Sequence, residues 1–136
     1  MTKIVNTLLT RSVKLYFTLL ILSTAAILYG TLFPADYKMP RSLLGIDKVV
    51  HFVMFAAWTF FYGLVRFLKD KFSLLPVFLV GVFFGLTVEV LQHLLPIDRS
   101  PELLDLIADI SGTGFAIFLL YVMAKKVPQF KNSSSS

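Results

Sequence analysis

The chain has 136 residues, of which 57% are hydrophobic and only 15% charged, with a net charge of +5 and no cysteine. Soluble domains carry about 25% charged residues, so the balance points to a membrane protein, and the length suits one domain over 1–136 with no separate soluble unit. Disulfides and thiol chemistry are excluded. The basic residues flank apolar runs, which membrane topology explains better than nucleic-acid binding.

Four apolar runs follow one another. The first, Leu15–Phe33, comes after Lys3, Arg11 and Lys14, and its Ser23-Thr24-Ala25 resembles a signal-peptide cleavage site. The apolar run nevertheless continues through Ala26-Ile27-Leu28-Tyr29 to Phe33, the length of a full span, which favours an uncleaved helix. The second run is Val49–Phe67. The third, Leu74–Leu95, carries Pro76 in its first turn, where a missing N–H is tolerated. The fourth is Leu103–Ala124, and residues 125–136, ending in Ser133–Ser136, read as a flexible tail.

Each run is close to the ~20 residues that cross a hydrocarbon core of about 30 Å. Lipid offers no partner to a free backbone N–H or C=O, so each run is expected to be helical. Pro34, Pro40, Gly45, Pro96 and Pro101 fall between the runs, as connectors do. The expected fold is all-α, a four-helix transmembrane bundle.

Charge sorts by side. With four spans, the termini and the middle connector share one face, which holds Lys3, Arg11, Lys14, Arg66, Lys69, Lys71, Lys125, Lys126 and Lys131. The other face holds Lys38, Arg41, Lys48 and Arg99, together with every acid except Asp70. The positive-inside rule then predicts cytoplasmic termini and an acidic outer half.

Charged side chains at membrane depth cost at least ~2.5–3.5 kcal/mol near a helix centre on insertion scales, so those present are functional candidates by default. Asp47, Lys48 and His51 open the second span, with Asp47 and His51 at i,i+4 on one face. Glu89 and Gln92 lie near the end of the third, and Asp105 and Asp109 near the start of the fourth, with Arg99 in the loop between. Glu89 and Asp109 are each six residues from their boundary, about 9 Å deep at 1.5 Å per residue, so neighbouring helices can bring these carboxylates together. Asp105, Ala108, Asp109, Gly112 and Ala116 form a strip of small and acidic residues, which is expected to face the bundle.

Plainer readings compete. Glu89 and Asp109 could simply hold helices together through Gln92, Ser111 or Thr87. His93 suits the interface, Lys48 can snorkel, and Arg99 can sit solvated in its loop. His51 could be no more than an orienting hydrogen bond. No H-E-x-x-H, phosphate loop or dinucleotide fingerprint occurs, so no metal centre, cofactor or nucleic-acid partner is assigned. Paired carboxylates with an imidazole remain compatible with acid–base chemistry.

The ordered set Asp47-Lys48-xx-His51-Phe52-xx-Phe55, Glu89-xx-Gln92, Pro96, Arg99-Ser100 and Asp105-xxx-Asp109-xx-Gly112 resembles the VanZ-like family of small bacterial membrane proteins. The resemblance runs from Asp47 to about Ala116, and the family usually has Asn where this chain has Asp109. It implies a multi-pass protein of the bacterial cytoplasmic membrane with a cell-envelope role; the founding member is associated with low-level resistance to the glycopeptide teicoplanin. The expectation is an outer-leaflet site built from Asp47, Lys48, His51, Glu89, Gln92, Arg99, Asp105 and Asp109. That site would bind an envelope lipid head group, a cell-wall precursor or a glycopeptide. A membrane-embedded hydrolase or transferase acting on a lipid-linked substrate, and a non-catalytic assembly factor, are the alternatives.

Overall fold

The computed structural model describes residues 13–32, 44–68, 73–95 and 103–126. These form four helices with no strand among the described residues: α1 Val13–Leu32, α2 Leu44–Leu68, α3 Leu74–Leu94 and α4 Leu103–Lys126. All four are long and apolar enough to cross a membrane. Their lengths of 20, 25, 21 and 24 residues give axes of roughly 30–38 Å.

The main difference from expectation is the start of α2, five residues before the apolar run. Hydropathy marks membrane depth rather than the first helical residue, and the additional turn takes in Asp47 and Lys48. At the other end of the chain, α4 continues to Lys126, two residues into the stretch read as tail. α3 begins after an extended Ser73 and carries Pro76 in its first turn, as predicted.

Polar side chains inside the spans are quieted locally. Thr18, Thr24, Thr31, Thr87 and Thr113 each donate to the carbonyl four residues back, so their hydroxyls reach lipid depth already bonded.

The contacts set the order and direction of the helices. α2 is central and packs most extensively on α4, while also touching α1 and α3. α2 and α4 run parallel: Lys48 meets Asp105, His51 meets Asp109, and Gly63 lies at Leu120. α3 is antiparallel to α4, with Gly81 at Thr113 and Gly85 at Asp109. α1 is antiparallel to α2, since Trp58 donates to Thr24 and Gly30 lies at Met54.

The bundle holds two apolar layers. One contains Tyr16, Leu64, Val65, Phe67, Val77 and Leu120, and the other Ile27, Phe55, Trp58 and Val88, with Phe84 tilted against both Phe55 and Trp58. Helices in lipid gain little from apolar burial, so close packing must hold them. Gly112 supplies that contact, because a Cβ there would lie 2.2 Å from the Phe52 carbonyl oxygen. The expected inward strip of α4 is the buried one: Asp105, Asp109, Gly112 and Ala116 are buried and Ala108 half-buried. Thr113 and Leu120 complete it.

Candidate functional site

The polar residues collect at the end of the bundle where α1 and α3 finish and α2 and α4 begin. There, two parallel helices present matched residues one turn apart. Lys48 and His51 are three residues apart on α2, and Asp105 and Asp109 four apart on α4, so each pair lies on one helical face. Parallel packing brings the two faces together rung against rung.

Lys48 Nζ donates to Asp105 Oδ1. His51 Nδ1 lies 2.9 Å from Asp109 Oδ1, while its Nε2 is 3.9 Å from Asp105 Oδ2, beyond hydrogen-bond length. Asp105 therefore stands between the lysine and the imidazole, and the imidazole stands between two carboxylates. Side-chain exposure falls along this series, from 22% at Lys48 through 9% at Asp105 and 5% at His51 to 1% at Asp109. Isolated charges at such depth cost several kcal/mol each, and facing them with opposite charges offsets that penalty. Below Asp109, its carbonyl accepts from Thr113, whose own hydroxyl accepts a long bond from Thr59 at 3.4 Å.

α3 closes the third side. A Cβ at Gly85 would sit 3.3 Å from Asp109 Cβ, so the glycine admits the aspartate close to the α3 backbone. The antiparallel pairs Gly81–Thr113 and Gly85–Asp109 step by one turn, and the next step sets Glu89 level with Asp105. Equal depth from the span boundaries matches Glu89 with Asp109 in the sequence. The register shifts that match by one turn, because loop lengths do not specify how far antiparallel helices slide. Glu89 is half-buried at this level.

Gln92 has a different task from the acids. It is buried, and its Nε2 donates to the Thr31 carbonyl at 2.9 Å. Thr31 is next to last in α1, so its carbonyl has no intrahelical partner, and Gln92 caps it from α3. His93 is exposed at the helix end, as its interfacial reading required. The partners considered for simple helix-holding are used elsewhere: Thr87 bonds Phe83 within α3, and Ser111 is exposed.

The remaining predicted residues are only partly placed. The Asp47 backbone lies in α2, while its side chain, Arg99 and residues 127–136 fall outside the described residues. Among the described residues, no three His, Asp or Glu side chains are grouped to hold a metal ion. Sequence reasoning missed the Thr31–Gln92 cap, and it set Lys48 in the expected site, with snorkelling as the alternative, without pairing it with Asp105. The spacing of three between Lys48 and His51 was the available signal, since both had to share a face.

The VanZ/LLP1 family model matches residues 3–124. No curated protein and no solved structure matches the chain. The match takes in α1 as well as the segment carrying the resemblance, and it covers the whole of the ladder from Lys48 to Asp109. The chain is therefore a multi-pass membrane protein of the VanZ type, and it belongs to the VanZ/LLP1 family.

Proposed function

We propose that this protein uses its acidic end to bind a polar head group of the bacterial envelope: that of a membrane lipid, a cell-wall precursor or a glycopeptide. The observation that carries the reading is the graded ladder, in which Lys48 is part-exposed at one end and Asp109 is sealed at the other. A purely structural lock would gain nothing from reaching the surface, whereas a binding site must. Family membership supports an envelope setting.

Glu89→Gln and Asp105→Asn each remove one charge with little change in shape. Each is expected to weaken head-group retention about tenfold, as the loss of one charge-assisted hydrogen bond of ~1.5 kcal/mol would. In cells, teicoplanin susceptibility or the lipid profile should shift with it. Normal expression of both variants with neither property changed rejects the reading.

A second reading draws on the imidazole. Asp109 holds Nδ1 of His51 and leaves Nε2 toward the more exposed Asp105, the orientation of a histidine that accepts or delivers a proton. A hydrolase or transferase acting on a lipid-linked substrate would use it, with activity changing near neutral pH. Purified protein that binds candidate lipids but turns none over, with or without divalent metal, removes this reading.

The site is proposed to face the outside of the cytoplasmic membrane, with cytoplasmic termini. The chain has no cysteine, so Ser100→Cys supplies a unique label site in the adjoining loop. An impermeant maleimide added to intact cells is expected to label it fully. Labelling only after the cells are opened would reverse the orientation.

A further inference from the structure

We infer that Arg66 holds the phosphate of an anionic membrane phospholipid, at the end of the bundle opposite the acidic ladder. Arg66 lies in the last turn of α2. It is seven residues beyond Thr59, two turns less about 20°. It therefore continues the stripe on which Thr59 meets Gly81 of α3 and Thr113 of α4. Its neighbours Val65 and Phe67 are buried in the apolar layer of Tyr16, Val77 and Leu120. Arg66 is thus a cation carried into apolar packing, unlike Lys14 and Lys125, which are exposed.

The chain does not meet this charge from within. Arg66 Nε is buried and has no hydrogen-bond acceptor among the described residues. A guanidinium does not lose its proton in proteins, so the charge persists whatever surrounds it. The residue as a whole is part-exposed, so the side chain is sealed at Nε while another part of the residue reaches the surface.

The second observation is the charge of this end, counted over the whole sequence. Every basic residue except Lys38, Arg41, Lys48 and Arg99 belongs to it, and Asp70 is its single acid. Neither α1 nor α3, which both begin here, has an acid in its first turn. Even with Asp70 fully paired, the end keeps a large positive excess.

A lipid phosphate suits both observations. The planar fork of arginine matches phosphate oxygens, and anionic lipid is drawn to basic residues beside a span. A zwitterionic head group would set its own ammonium among the lysines, which selects a lipid of net negative charge. Snorkelling also takes a cation to head-group level, but it asks only for charge, so lysine would serve equally.

The test reads retained lipid by native mass spectrometry, with full-length protein in nanodiscs of phosphatidylglycerol and phosphatidylcholine that share acyl chains. Phosphatidylglycerol is expected to be held about tenfold over phosphatidylcholine. Arg66→Gln is expected to erase that preference, and Arg66→Lys to lower it about threefold while keeping the charge. Arg66→Lys keeps the test valid should Arg66→Gln fail to fold. Lys125→Gln, at an exposed residue lying over the Tyr121 ring, is expected to change it little.

Equal retention of the two lipids overturns the phosphate site. A preference unchanged in Arg66→Lys, or lost as fully in Lys125→Gln, reduces the effect to diffuse charge and overturns it as well. Asp70→Asn is expected to keep or raise the preference; its loss there would make Asp70 the partner of Arg66 and reject the lipid. Glycerol 3-phosphate added in excess is expected not to displace the lipid. Displacement would make the ligand a soluble phosphate and overturn the assignment.

Discussion

Gly112→Ala is expected to unseat α2 from α4, whereas Gly114→Ala, two residues on in the same helix, is expected to be tolerated. A methyl at Gly112 would meet the Phe52 carbonyl oxygen at 2.2 Å and the Ala56 nitrogen at 3.1 Å, while at Gly114 nothing lies within 4 Å. The obstacle at Gly112 is backbone, so no rotamer change relieves it and the helices must part. Overpacking costs typically ~1–3 kcal/mol, and a backbone clash belongs at or above the top of that range. Helix propensity returns at most about 1 kcal/mol for either change. Gly112→Ala should therefore lose several kcal/mol, and Gly114→Ala should be neutral or slightly stabilised. Thermal or denaturant unfolding in micelles measures both, and equal stability of the two variants would mean that α2 and α4 do not approach as described.

Asp109→Leu is expected to be the most damaging change in the polar cluster. It leaves His51, 5% exposed at its side chain, without the carboxylate 2.9 Å from its Nδ1. If the pair is ionic, removing one partner costs about 3–5 kcal/mol. If it is a neutral hydrogen bond between membrane helices, double-mutant cycles put such contacts near ~0.6 and at most ~1.7 kcal/mol. The cycle through His51→Leu, Asp109→Leu and the double variant separates these cases. We expect a coupling above about 2 kcal/mol, with the double variant recovering much of the loss, because two apolar side chains no longer bury an unmatched charge. Coupling near zero would mean the two side chains are independent. The same variants bear on function: stability that collapses while head-group binding is untouched would make the cluster a helix lock and favour an assembly role. Lys48 and Asp105 lie nearer the surface, where a pair contributes less, so Lys48→Met should cost no more than about 1 kcal/mol.

The four spans were legible in the sequence because the membrane constrains them so strongly. Lipid forbids unpaired backbone and requires a minimum apolar length, so Leu74–Leu95 as read differs from α3 by one residue. The inward strip of α4 was legible for a related reason. Acids and small residues at spacings of three and four avoid lipid together, and Asp105, Asp109, Gly112 and Ala116 are all buried.

Which residue answers which was decided only by the tertiary structure. Hydropathy does not report helix rotation or axial slide, and a slide of one turn, about 5.4 Å, exchanges every partner. That is why Glu89 stands level with Asp105 rather than Asp109, why Lys48 is drawn to a carboxylate, and why Gln92 caps α1. Local periodicity states which face of each helix turns inward. The meeting of His51 with Asp109 comes from close backbone contacts at Gly112 and Gly85, which set the register between helices far apart in the chain.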